Sequence, residues 1–300
     1  MDLKQLRIFL HVAETGSLSK AAQRLNVTQP ALSRQIKMLE DDAGVPLFVR
    51  TGRGVILSEA GERMAPRARI LAEEMERLKT DMTAFAGEIS GEVRVGLPPS
   101  SGSVMAAPIV EKFHQKYPDV KLRITQLLSG AIHDNLLNGH LDIGILFEGN
   151  VSPVLRSERL WSEEMSFLIK PDDRWKGRTK IILEEALDEP FILPGPKHGL
   201  RDIIEKQAAK IDKPLKVVVE AESLMVHTEL VCRGLGCTIL PKTACFDHIA
   251  KGRLIALDLV KPKIERVPCL AWSKDYPLTR AAQAMADIIR EEAASRFKLL

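Results

Sequence analysis

Apolar positions near the N-terminus recur with the period of a helix and are interrupted twice. The pattern predicts helices over residues 2–14, over residues 17–25 and from Pro30 through Leu39. Asn-Val-Thr at 26–28 separates the last two; Thr28 has an oxygen suited to cap the third helix, and proline at its first turn loses no hydrogen bond. Two short helices joined by a tight turn form the helix-turn-helix pattern, which places the second helix in the DNA major groove.

The third helix carries polar and basic side chains on the face opposite its apolar residues. Between Thr15 and Leu39 there are four basic residues and no acidic one. Such side chains can reach base edges or phosphates, and the candidates are Gln29, Ser33, Arg34 and Lys37. The alternative is a solvated helix pair inside a larger helical core.

Residues 45–57 consist of two short apolar segments flanking Thr-Gly-Arg-Gly at 51–54. Glycines at this spacing permit a tight hairpin, so we expect two short strands. Arg50 and Arg53 would then contact DNA phosphates or enter the minor groove. A basic hairpin with two glycines is not expected in an ordinary helical core. Its presence here therefore favours a winged helix-turn-helix.

A long helix is predicted from Ser58 to about Ala86. Its apolar residues alternate steps of four and three, which is the seam of helices that pair along their length: Met64, Ala68, Leu71, Met75, Leu78, Met82 and Phe85. We expect dimerisation along this seam. The alternative is one amphipathic helix that lies on its own chain.

After a hinge bracketed by Gly87 and Gly91, predicted strands alternate with helices to the end of the chain. This order is typical of α/β sheets, and two lobes are expected, with chain crossings near residues 160–161 and 266–267. Strand ends followed by helix N-termini offer N–H groups and hydroxyls that suit a small anion. The predicted helix over residues 102–117 leaves the serines at 100 and 101 in such a loop.

Composition narrows the function classes. The 300 residues have a formal charge of +3, no basic and apolar leader and no run of about 20 apolar residues, so we expect a cytoplasmic protein. The four cysteines, Cys232, Cys237, Cys245 and Cys269, match no zinc spacing, and most are expected to be buried. A thiol switch at Cys237 and Cys245 stays open. There is no nucleophile elbow, phosphate-binding glycine loop or metal-spaced histidine set, which argues against an enzyme. A solute-binding protein would suit the α/β half alone.

The ordered stretch LKQLRIFLHVAETGSLSKAAQRLNVTQPALSRQIKMLEDDAGVPLFVRTGRGVILSEAG, with the seam helix and the α/β module, resembles the LysR-type transcriptional regulators over essentially the whole chain. The resemblance implies a winged helix-turn-helix DNA-binding domain at 1–58 and a linker and dimerisation helix at 59–88. It also implies an α/β effector-binding domain at 89–300, two-lobed like a periplasmic binding protein. Lobe I would comprise 92–161 and 267–300, and lobe II 162–266.

The resemblance also assigns roles to residues. Gln29, Pro30, Ser33 and Arg34 would read the major groove of promoter DNA, Thr28 and Lys37 would contact phosphates, and Arg50 and Arg53 would serve the wing. In this family a small-molecule effector, here expected to be anionic, binds between the lobes, and the candidate residues are Ser100, Ser101, Ser129, Phe147, Pro194 and His198. Homodimers that assemble as homotetramers, RNA polymerase as a further partner, and no cofactor are also expected.

Two short segments bear on the branch of the family. Gly-Leu-Pro-Pro-Ser at 96–100 resembles the nitrogen-assimilation regulators. Peroxide-sensing relatives carry a reactive cysteine in the segment matching 197–202, where this chain has Gly199, so no peroxide switch of that type is expected.

Overall fold

The computed structural model describes residues 1–52, 54–84, 89–196 and 198–297. The chain divides into two compact units, Met1–Glu88 and Ile89–Leu300. No helix in the described parts of the chain is long and apolar enough to cross a membrane.

The N-terminal unit is a three-helix core with a two-stranded wing and a long helix. Its elements are α1 (Leu3–Thr15), α2 (Leu18–Arg24), α3 (Gln29–Ala43), β1 (Phe48–Thr51), β2 (Gly54–Leu57) and α4 (Glu59–Ala84). Asp2 begins α1 with a capping box shared with Gln5. One face of each helix supplies the core, in which Phe9 and Leu39 are fully buried.

The tight turn and the wing follow from specific backbone positions. Asn26 takes a φ of 52°, a left-handed conformation that asparagine tolerates better than most residues. The antiparallel wing packs on the end of α1, where the N–H of Val55 donates to the oxygen of Gly16 at 2.9 Å. A Cβ at Gly54 would lie 2.3 Å from that same oxygen, so glycine is required there.

Helix α4 divides its apolar seam between two environments. Ala68 is buried against the helix-turn-helix core, with Met64 partly buried beside it. Further along, Leu71, Leu78 and Met82 are each more than half exposed, at 53%, 54% and 57%. The start of the seam therefore packs on its own chain, as the alternative interpretation held, whereas these three later positions are open. Phe85 lies outside the described residues.

Lobe I of the second unit is a five-stranded sheet with helices packed on it. In sheet order its strands are β4 (Val120–Gln126), β3 (Gly91–Leu97), β5 (Ile143–Phe147), β14 (Pro268–Ser273) and β6 (Leu155–Arg159). Its helices are α5 (Pro99–Lys116), α6 (Ser129–Leu137) and α11 (Arg280–Arg296). Strands β3, β4 and β5 are parallel, so their carboxyl ends share the edge at which α5 and α6 begin.

Lobe II contains a second mixed sheet. Its strands are β7 (Glu163–Ile169), β8 (Lys180–Ile181), β11 (Thr238–Pro241), β12 (Ile255–Leu259) and β13 (Glu265–Arg266), beside a parallel pair of β9 (Phe191–Leu193) and β10 (Val217–Glu220). Its helices are α7 (Leu183–Ala186), α8 (Gly199–Lys210), α9 (Leu224–Cys232) and α10 (Phe246–Ala250). An apolar core of its own runs beneath these elements.

The chain passes between the two sheets twice. Trp161 lies between β6 of lobe I and β7 of lobe II, and Val267 lies between β13 and β14. Strands β7 and β13 pair antiparallel at this crossing, with Arg266 opposite Glu163. Residues far apart in sequence therefore meet at the hinge.

Candidate functional sites

The first candidate site is the solvent-facing side of α3. Leu32, Ile36 and Leu39 bury the opposite face, with exposures of 1%, 6% and 0%. The predicted contact residues stand on the open side: Thr28, Gln29, Pro30, Arg34 and Lys37 are exposed, and Ser33 is half-buried. The amide Nε2 of Gln29 donates to Ser33 Oγ at 3.0 Å, which orders the start of this surface.

One prediction about α3 is wrong. Thr28 occupies the N-cap position, but its side chain makes no capping hydrogen bond. The first-turn N–H groups of α3 are therefore not satisfied by a side-chain cap. A helix N-terminus in this state favours an anion such as a phosphate.

The wing adds a basic side chain to the N-terminal unit. Arg50 lies in β1 and is exposed, while Arg53 lies outside the described residues. The carboxylate of Glu40, near the end of α3, accepts from the N–H groups of Leu47 and Phe48 at 2.7 and 3.1 Å. This acidic residue therefore holds α3 to the base of the wing.

The second candidate site is a cavity of about 40 Å³ between the two lobes. Five of the six predicted effector residues line it: Ser100, Ser129, Phe147, Pro194 and His198. A volume of this size holds roughly one or two water molecules, so a larger ligand requires the lobes to separate. The lobes approach closely at one side, where a Cβ on Gly199 would lie 3.0 Å from Asn150 Nδ2.

Ser101 does not line this cavity. Helix α5 begins at Pro99, three residues before the predicted start, because proline suits the first helical position. The serines therefore belong to the first turn rather than to a loop, and they point in different directions. Ser101 is 3% exposed, and its hydroxyl has no hydrogen-bond partner among the described residues.

A buried ion pair at the hinge forms part of the cavity wall. Arg266 Nε donates to Glu163 Oε1 at 2.8 Å, and Nη2 donates to the same oxygen and to Ser100 Oγ, the latter at 3.0 Å. The guanidinium lies over the ring of Phe147, 3.6 Å from its centroid. Pattern reading missed this pair because its members are 103 positions apart and neither sits in a recognisable motif.

Two histidines from lobe II face the same cavity. His198 Nδ1 accepts from the N–H of Leu200 at 3.1 Å and so caps α8. His227 Nε2 lies 2.7 Å from the oxygen of Ile192, and burial lowers the pKa of His227 to about 4. Burial also lowers the pKa of His198. Both rings are therefore neutral at pH 7.

The cysteines stand apart from this chemistry. All four are buried and free, and burial raises the pKa of every thiol, to about 12 for Cys245 and about 11 for Cys269. Protonated thiols are weak nucleophiles. The structure therefore gives no support to the thiol switch left open above.

Asp142, which directly precedes β5, has a structural role. Its carboxylate accepts from the N–H of Arg94 at 2.7 Å, and the buried guanidinium of Arg94 lies 3.6 Å away. The interaction joins the start of β5 to β3.

Comparison with known proteins agrees with both halves of the chain. Residues 3–62 match the bacterial regulatory helix-turn-helix protein model of the lysR family, and residues 86–294 match the LysR substrate binding domain. BbuR of Bordetella bronchiseptica, an HTH-type transcriptional regulator, is 27% identical over 97% of this chain and 90% of its own length. The nitrogen assimilation regulatory protein nac of Klebsiella aerogenes is 27% identical over 96% of this chain and 94% of its own.

The solved structures agree. A variant of full-length OxyR from Pseudomonas aeruginosa has a TM-score of 0.69 and 28% identity, covering 97% of this chain and 98% of that one. Nitrogen-assimilation regulators are thus among the relatives, alongside regulators of other names at similar identity. The chain belongs to the LysR family of bacterial transcriptional regulators: it is a DNA-binding regulator with an effector-binding domain, and not an enzyme.

Proposed function

We propose that α3 reads the operator in the major groove through Gln29, Pro30, Ser33 and Arg34. Thr28 and Lys37 contact phosphates, and the exposed Arg50 of the wing contacts the backbone beside them. The observation that carries this proposal is the division of α3 into a buried apolar face and an open polar one. The uncapped N-terminus adds a place for a phosphate.

Replacing Arg34 tests the direct reading of bases. Arg34→Ala should weaken specific binding by about 1–3 kcal/mol, or roughly 5- to 150-fold, because a bidentate arginine contact to a base carries that discrimination. The assay is titration of an operator fragment at fixed salt. Arg63→Ala is the matched control, since Arg63 is also an exposed arginine, on α4. Equal affinities for wild type and Arg34→Ala would contradict the assignment.

The exposed part of α4 is proposed to pair with the same helix of a second copy. Leu71, Leu78 and Met82 follow steps of seven and four, and large apolar side chains with this spacing form a pairing seam. A dimer carries two recognition helices, which suits an operator with two half-sites. Assembly into a homotetramer, contact with RNA polymerase and a cytoplasmic location are further parts of this proposal.

The cleft between the lobes is proposed as the effector site. Its support is that Ser100 and Ser129, which lie in the first turns of two separate helices of lobe I, meet His198 of lobe II across one cavity. Neither α5 nor α6 has a side-chain cap, so their first-turn N–H groups are available to an anionic group. Binding would change the separation of the lobes, and α4 would pass this change to the DNA-binding heads.

Ser129→Ala tests the site without touching the hinge ion pair. We expect this variant to bind operator DNA like wild type and to lose the stabilisation that small carboxylates give in a thermal-shift screen. A variant that keeps the full carboxylate response would contradict the placement of the anionic group.

A further inference from the structure

The two walls of the cleft have opposite chemistry. On lobe I, helices α5 and α6 both point uncapped N-termini toward the cavity, preceded by Pro98 and Leu128. On lobe II, the corresponding helix ends each have one side-chain cap. His198 caps α8, and Ser223 Oγ accepts from the N–H of Val226 at the start of α9 at 3.5 Å. Of these four helices, only the two of lobe I therefore begin without a side-chain cap.

The lobe II wall carries a carboxylate instead. Glu222 lines the cavity, and its Oε1 accepts from the N–H of Gly195 at 2.9 Å. A Cβ on Gly195 would lie 2.7 Å from the same oxygen, so the absence of a side chain there allows the contact. Because the backbone N–H of Gly195 holds one carboxylate oxygen, the position of the negative charge on this wall is set.

The positive charge on the wall does not cancel this carboxylate. Arg266 is paired with Glu163, and both side chains are at least nine-tenths buried. The pair is neutral as a whole, which leaves Glu222 as the uncompensated charge among the described residues that line the cavity. A ligand with only an anionic group would be attracted to one wall and repelled by the other.

Resting on the cleft site proposed above, we propose that the effector is a small zwitterion of the amino-acid type. Its carboxylate lies against the N-termini of α5 and α6 with the hydroxyls of Ser100 and Ser129. Its ammonium group lies against Glu222. Each charged group then has an opposite partner, and a single molecule bridges the lobes, which couples binding to their separation.

The test uses the full-length protein and defined probes. Thermal shift with each of the twenty L-amino acids identifies binders, and calorimetry compares each binder with the matching carboxylic acid that lacks the amino group and the matching amine that lacks the carboxylate. We expect at least one amino acid to bind, and both analogues to bind at least tenfold more weakly.

Glu222→Gln and Glu220→Gln separate the role of this carboxylate from a general loss of charge. Glu220 lies two residues earlier and pairs with Arg201 at 2.8 Å outside the cavity. Glu222→Gln should weaken binding of the amino acid at least tenfold. Its affinity for the matching carboxylic acid should be unchanged or higher. Glu220→Gln should bind both like wild type.

Three results would overturn the inference, and they separate it from the broader proposal. If carboxylic acids bind as well as amino acids and Glu222→Gln has no effect, the proposal of a zwitterionic effector is rejected, and the proposal of an anion site stands. Amines that bind without a carboxylate, in a way that depends on Glu222, would reject both the zwitterionic effector and the anion site. Failure of every amino acid to bind would also reject the amino-acid class.

Discussion

The hinge ion pair gives the most quantitative prediction. Glu163→Gln keeps the shape of the side chain and removes its charge, which leaves Arg266 buried without a counter-charge. Removing one partner of a buried pair costs about 3–5 kcal/mol. For a unit of this size each kcal/mol lowers Tm by about 2–4 °C, so the expected decrease is about 6–20 °C.

A neighbouring glutamate provides the control. Glu164 also pairs with a basic residue, Lys263, at 2.9 Å, but both side chains are more than half exposed. Solvent screens such a pair, and Glu164→Gln should change Tm little. Both variants remove one negative charge from adjacent positions of β7, so the difference between them reports burial.

Scanning calorimetry and circular dichroism of the full chain measure both variants under one buffer. The double variant Glu163→Gln/Arg266→Gln should recover part of the loss, because no buried charge is then left unpaired. Equal transition temperatures for Glu163→Gln and Glu164→Gln would refute the reasoning. The hinge charges would then be hydrated rather than buried.

Three further predictions follow from exposure and burial. Leu78→Asp should shift the protein from dimer toward monomer in sedimentation experiments, and an unchanged mass would reject the α4 seam. Because burial lowers the pKa of His227 from 6.5 to about 4, the folded state resists a proton that the unfolded chain accepts. Stability should therefore decrease as pH falls from about 6.5 toward 4, and His227→Gln should reduce this dependence in urea titrations. The four buried thiols should react with a disulfide reagent only after denaturation, and rapid native labelling would contradict this.

Elements with strong periodicity could be predicted from the sequence alone. The three helices of the head, the wing and the alternation of strands and helices were expected near their observed positions, because local patterning reports burial directly. Boundaries were less secure. Helix α5 was expected to begin near Gly102, but its proline-initiated turn starts at Pro99 and moves Ser101 away from the cavity.

Contacts between distant positions could not be predicted in the same way. Arg266 was expected only to lie at a chain crossing between the lobes, although it joins Glu163 and Ser100 across 103 and 166 positions. Glu222 was not among the predicted site residues, and its position depends on the backbone N–H of Gly195. The missing side-chain caps of α5 and α6 likewise differ from lobe II only by comparison with the capped start of α8, which the sequence did not show.

The measurement that tests the central claim most directly is genome-wide footprinting of the purified full-length protein on the DNA of its own organism, at a stated salt concentration. The account predicts discrete sites with two related half-sites, which Arg34→Ala weakens and Arg63→Ala preserves. Uniform binding that declines with salt and is equally affected by both substitutions would contradict it, because α3 would then act only through its charge.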